Sequence, residues 1–408
     1  MLQYKLSHMS RLHDMMEEIE GQRRRGNFHG AENLAKLEMK EYELEKNTPY
    51  YNFYRGLLWY LYGFFHEAIM YFDSALLTED KDMYFVHKFR GAASLESRNY
   101  GRAKAYFEAA LATADDPADV VSAMNALGNT YLRMGMPGRA MELYRDALDI
   151  ALEADLDGLA ETALVNIGVA HVNAGDYEGS IRHFEDAMEL AKAIGDDRGM
   201  RICLNNLGGA FNNMGRHKEA RPAMRRAREL DPLLAVHQAL SSQVAFCGRE
   251  YSEAVQFARQ AIVVDPEFWI GHLQLAQALE QLGQSEQALE ALTSAGRFSG
   301  GNSKVVALRG YIFAKLGRAG EAREVLRTLV AIARERYVPP YAMALVHAGL
   351  GEGDDAFEWL DRAFEAHDVH LVFLPIDPKW DGLRADPRFA ALLKRAGLPI
   401  PAPSATAL

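Results

Sequence analysis

The chain has 408 residues, 49% hydrophobic and 25% charged, which is the usage of a soluble folded protein and excludes disordered and collagen-like classes. Lys and Arg total 45 against 56 Asp and Glu, a formal net charge of −11. So acidic a chain lacks the broad positive field that sequence-independent phosphate binding needs, and nucleic acid is not an expected partner.

The first residues, Met1 to His8, carry no apolar run of the signal-peptide kind. The most apolar stretch, residues 56–65, is ten residues long, where a membrane helix needs about twenty. No membrane contact is expected. The two cysteines, Cys203 and Cys247, exclude a disulfide framework and a paired-thiolate zinc site, and they fit a reducing, cytoplasmic compartment.

Along the chain a small residue recurs at 31, 68, 103, 140, 180, 220, 254, 288, 322 and 356, with spacings of 37, 35, 37, 40, 40 and then 34 four times. Eight of these anchors follow a glycine by five residues, from Gly26 and Gly63 to Gly351; the copies at Ala103 and Ala254 are weaker. Twelve residues before the anchor stands Gly56, Gly91, Gly128, Gly168, Gly208 or Gly310, replaced elsewhere by Ser242, Ala276 and Ala344. A large residue lies four after it, as in Phe72, Phe107, Tyr144 and Phe184, and an alanine seven after it.

Apolar residues at three- and four-residue intervals give each segment one buried helical face, and a fixed period means stacked units. The small positions let helices approach, and the glycine before the anchor ends the first helix in a left-handed turn. The spacing predicts an all-α, right-handed α-solenoid of about ten helix pairs. Asp231-Pro232 and Asp265-Pro266 are expected to end second helices and open the next first helix with proline in its first turn, and Pro222 to delay or kink its helix. Asp377-Pro378 and Asp386-Pro387 predict N-caps in a capping segment carrying Trp380, Leu383, Phe389, Leu392 and Leu393.

This pattern resembles the tetratricopeptide repeat (TPR) family over residues 11–366. Residues 11–230 carry the longer repeats, and the middle ones, ending near residues 147, 187 and 227, are similar to those of kinesin-light-chain and LGN-type proteins. The 34-residue form takes over in 231–366, and 367–399 form a helical cap. The C-terminal end is also similar to bacterial regulatory TPR regions, which implies a regulatory setting.

No phosphate loop, His-Glu-x-x-His, Gly-x-Ser-x-Gly or Cys-x-x-Cys is present, so no catalytic residue, metal or cofactor is assigned. Gly349-Leu350-Gly351-Glu352-Gly353 reads as an interhelix turn, since it follows a helical pattern where a dinucleotide loop follows a strand. Asp155-x-Asp157-Gly158 lacks the distal Glu of a calcium loop. His171 and His347 take the slot of Tyr131, Phe211 and Phe313, which makes them packed imidazoles. The cysteines read as small buried side chains.

In stacked helix pairs, positions 5, 6, 9, 12 and 13 of each first helix face the inner, concave surface. These slots hold Asn125, Asn129 and Arg133, then Asn166 and Asn173, then Asn205, Asn206, Asn212 and Asn213. Asn is a mediocre helix former, so eight on three neighbouring helices call for a reason. A carboxamide pairs with both N–H and C=O of an extended backbone, which makes these residues a peptide groove. Related TPR grooves use Asn in this way. Solvated polar residues with local hydrogen bonds are the alternative.

Phe53, Leu57 and Tyr60 occupy the same slots of the second repeat, where they form either inter-repeat packing or an apolar pocket continuous with Lys88. Arg23-Arg24-Arg25 is a short basic cluster on a solvated face. The function expected is a non-enzymatic adaptor that holds a peptide or protein segment in the groove, with self-association into a homo-oligomer left open. A sensor module that controls an effector protein is the alternative.

Overall fold

The computed structural model describes residues 14–16, 18–22, 27–44, 48–75 and 84–400, so Arg23-Arg24-Arg25 lie outside the described residues. Among these residues every regular element is helical. They form two compact units, residues 1–174 with 182–200 and residues 175–181 with 201–408.

The first unit contains α1 (Phe28–Leu44), α2 (Thr48–Leu61), α3 (Phe65–Ala75), α4 (Tyr84–Glu96), α5 (Tyr100–Thr113), α6 (Pro117–Arg133), α7 (Pro137–Glu153) and α8 (Asp157–Asn173), with most of α9 (Tyr177–Ala193). Consecutive helices pack as antiparallel pairs, α2 on α3, α4 on α5 and α6 on α7. The pairing follows from the sequence at two points.

The first point is the turn. Among the described residues, glycine five before the anchor is left-handed throughout, for instance Gly135 at φ 75° and Gly175 at φ 78°. Arg98 (φ 58°) and Arg249 (φ 65°) hold the same backbone in the two copies without glycine, at a cost of roughly 1–2 kcal/mol each.

The second point is the close approach. A Cβ on Gly168 would stand 2.4 Å from the Phe184 ring, and one on Gly128 2.4 Å from Tyr144, so the missing side chain is the space the opposite aromatic fills. Where Ser242 replaces this glycine, Ala258 stands at the position of the aromatic, and the exchange of sizes keeps the helices in contact.

The second unit contains most of α10 (Asp197–Asn213), then α11 (His217–Leu230), α12 (Ala235–Cys247), α13 (Tyr251–Val264), α14 (Trp269–Gln281), α15 (Ser285–Phe298), α16 (Ser303–Lys315), α17 (Ala319–Ala333), α18 (Pro340–Leu350) and α19 (Gly353–Glu365). Two 3₁₀ turns, Val369–Phe373 and Pro378–Leu383, and α20 (Pro387–Arg395) cap the array. Asp377 and Asp386 act as N-caps, each accepting 2.9 Å bonds from Lys379 N and Arg388 N. Trp380, Phe389, Leu392 and Leu393 are buried against the last repeats.

Two local expectations change. Asp231-Pro232 and Asp265-Pro266 form turns, and the following helices begin three residues after each proline, at Ala235 and Trp269. The aspartate oxygens capture the N–H two residues on, of Leu233 at 3.3 Å and Glu267 at 3.0 Å, which closes a side-chain turn before the helix can start. Pro222 does not delay α11, which begins at His217 and runs through it.

Candidate functional site

In the first unit, part of the amide set is spent on holding repeats together. Asn125 of α6 is 5% exposed; its Nδ2 donates to Val121 O at 3.1 Å, and its Oδ1 accepts from Asn166 Nδ2 of α8 at 2.8 Å. Asn129 accepts from the Tyr144 hydroxyl at 2.7 Å. Asn173 and Arg133 are exposed at the ends of α8 and α6. Asn125 is thus a positioning residue, while Asn166 and Asn129 keep free hydrogen-bonding capacity on a half-buried face.

The aromatic cluster divides. Phe53 and Leu57 are fully buried, with Phe53 packed 5.8 Å from Phe72 and 6.2 Å from Phe89, so they belong to the core and offer no surface to a ligand. Tyr60 is half-buried, edge-on to Phe89. The pocket continuous with these residues is not formed. Lys88 instead lines a cavity of about 340 Å³ with Glu20, Phe85, Asp119 and Leu156, and its ammonium donates to Glu20 at 2.7 Å.

In the second unit, α10 shows the opposite amide behaviour. The Oδ1 atoms of Asn205 and Asn212 are buried and have no hydrogen-bond partner. Asn212 Nδ2 reaches only the Cys247 sulfur, at 3.8 Å, a weak acceptor. Asn206 and Asn213 are half-buried beside them.

Further along, the same inner slots close into a cavity of about 320 Å³. Leu240 and Gln243 of α12, Leu273, Gln274 and Gln277 of α14, Leu308 of α16, and Tyr341 and Leu345 of α18 all line it. The cap supplies the remaining wall through His370, Phe373, Asp377 and Lys379. Gln243 Oε1 accepts from Gln274 Nε2 at 2.7 Å and from Gln277 Nε2 at 3.1 Å, and Gln277 Nε2 also donates to Gln274 Oε1. Lys379 is held by Asp377 at 2.8 Å and donates to Gln277 Oε1 at 3.2 Å. Burial pushes the Asp368 carboxyl up, but hydrogen bonds from His370 and from the Tyr341 N–H outweigh it and hold the group below its ordinary value.

This cavity went unread in the sequence. The slot rule that picked out the asparagines also picks out Gln243, Gln274 and Gln277, so the signal was present. The cap residues carry no period, and only folding brings them to the face.

Among the described residues, one group has metal-ligand spacing: His347, Glu352 and Asp355. Glu352 is already bonded to His347 Nδ1 at 2.8 Å and to Arg323 at 2.7 Å, which spends its charge. Gly351, at φ 75°, caps α18 as the turn reading requires. Cys203 and Cys247 are buried, and burial pushes the Cys247 thiol up to about 12, far from a nucleophile's range. No described helix is long and apolar enough to cross a membrane.

Residues 90–155 and 159–233 match models of the tetratricopeptide repeat family. No curated protein matches the chain. Among solved structures, the signal transduction ATPase with numerous domains carrying a tetratricopeptide repeat sensor, from Pyrococcus horikoshii, is similar at 17% identity over 66% of this chain, with a TM-score of 0.51. The match spans 49% of that chain, about half its length, and it shows the fold. The apo form of RapI matches at 13% identity over 62% of this chain and 98% of its own, with a TM-score of 0.48. PilF of Pseudomonas aeruginosa matches at 18% identity over 54% and 94%, with a TM-score of 0.43.

Proposed function

We propose that this chain, whose residues 90–155 and 159–233 match tetratricopeptide-repeat models, is a non-enzymatic interaction module that holds a peptide or protein segment along the inner slots of its first helices. The observation that carries this reading is on α10. Two buried carboxamide oxygens, of Asn205 and Asn212, have no partner in the free protein. A buried acceptor left unpaired costs about 1–3 kcal/mol, and a rotation of the carboxamide toward the half-buried face, where a backbone N–H of a bound segment can pair with it, relieves that cost. Half-buried Asn206 and Asn213 beside them have the donors and acceptors to grip the rest of an extended chain.

The test is affinity capture with the wild type and with Asn206→Ala/Asn213→Ala, read by mass spectrometry. A partner held by the wild type should be lost from the double variant while its helical circular dichroism is unchanged. Equal recovery on both refutes the groove. Asn166 is a poorer target, because its removal also strips Asn125 of a partner.

The sensor reading rests on a separate observation, the cavity beneath the cap of the second unit. An occupant there would bridge repeats and cap, and a ligand that favours one arrangement of such an element shifts its population.

A further inference from the structure

The cavity of the second unit has a charge and hydrogen-bond inventory that can be counted. All three glutamine oxygens are satisfied, that of Gln243 twice over and that of Gln277 by Lys379. The spare groups are donors. Gln274 Nε2 makes one bond, leaving its second N–H, and Gln243 Nε2 reaches only the Cys247 sulfur at 3.2 Å. Gln274 and Gln277 are 9% and 6% exposed, so these amides are built into the wall.

The charges follow the same logic. Lys379 is neutralised by Asp377, both side chains under a tenth exposed, and His370 Nδ1 lies 2.6 Å from Asp368. Lys304 is left over. It lines the cavity with its residue exposed, and no described carboxylate lies within ion-pair distance of it; crowding by neighbours pulls its pKa down, and the more distant Asp368 carboxyl partly opposes this. The rest of the wall is apolar, with Trp269, Leu273, Leu308 and Phe373. At about 30 Å³ per water-sized group, the space takes on the order of ten non-hydrogen groups.

We propose that this cavity binds a small amphipathic monoanion, a free aliphatic or aryl acid of about ten non-hydrogen atoms. Its chain packs against Trp269, Leu273 and Leu308, and its carboxylate meets Lys304 and the spare glutamine N–H groups. An acceptor-rich head matches the spare donors of Lys304, Gln243 and Gln274, and a cationic head does not. The site stands apart from segment capture on α10, so either can fail alone.

The test uses the full chain and calorimetric titration with octanoate, octanol and octylamine. Octanoate should saturate one site, octanol should bind more weakly, and octylamine should not compete. Lys304→Met should weaken octanoate at least tenfold and leave octanol unchanged. Leu308→Trp, which fills the cavity, should remove both. Since Leu308→Trp perturbs a buried position, the surface substitution Lys304→Met decides the charge requirement by itself. No saturable octanoate binding, or equal binding by Lys304→Met, overturns the proposal. A leucine-terminated peptide that binds more tightly than octanoate, and loses that binding on C-terminal amidation, overturns the free acid in favour of a protein C-terminus.

Discussion

Asn166→Ala and Asn205→Ala should shift stability in opposite directions, although both residues hold inner slots of neighbouring first helices. At Asn205 the acceptor is buried and unpaired. Its removal recovers about 1–3 kcal/mol of desolvation penalty and up to about 0.7 kcal/mol of helix propensity. The vacated space, on the order of 40 Å³ for a carboxamide, costs about 1 kcal/mol at 24 cal/mol per Å³. The balance is stabilising by about 1 kcal/mol. At Asn166 the lost Nδ2 leaves the Oδ1 of buried Asn125 without its donor. That exposes the same penalty of about 1–3 kcal/mol with the sign reversed. Urea unfolding followed by helical circular dichroism reads the pair, with about 2–3 kcal/mol per molar as the slope. The midpoint should rise by about 0.3–0.5 M for Asn205→Ala and fall by a similar amount for Asn166→Ala. A fall for Asn205→Ala would show that its amide is structural and would remove the ground for segment capture on α10.

Three further outcomes follow from the geometry. Gly168→Ala gains about 1 kcal/mol of helix propensity but drives a methyl into the Phe184 ring at 2.4 Å. Overpacking of about 1–3 kcal/mol should leave it less stable, and Phe184→Leu in the same chain should restore part of the loss in a double-mutant cycle. Arg98→Gly should stabilise by about 1 kcal/mol, since Arg98 is exposed at φ 58° and glycine takes that backbone without Cβ cost. Asp368 has a lowered folded pKa, so its contribution is present above the unfolded value of about 3.9 and is lost as pH falls through the folded one. Hydrogen-exchange protection at α18 and the cap, measured against the intrinsic rate at each pH, should therefore fall below about pH 4, and Asp368→Asn should abolish that dependence.

The helix pairs were legible because their determinants are local. Apolar spacing, a left-handed residue (mostly glycine) five before the anchor and a small residue facing the aromatic all lie within one repeat, where sequence distance and spatial distance agree. Asp377 and Asp386 were readable as N-caps for the same reason. Asp231-Pro232 was misread because two local rules compete there, and the side-chain turn forms before the helix does.

What the asparagines do was not local. The Asn125 bond to Asn166 joins residues 41 apart, and nothing within either helix marks one amide as spent and the next as free. Phe53 and Leu57 went to the core because the neighbouring repeat covers them, an outcome set by stacking. The cavity of the second unit depends on a longer connection still, Lys379 on Gln277 across 102 residues. Periodicity alone puts equivalent residues of successive first helices at equivalent positions. Which groups at those positions remain unsatisfied is decided when aperiodic segments fold onto them, because hydrogen bonds and burial are properties of the assembled neighbours.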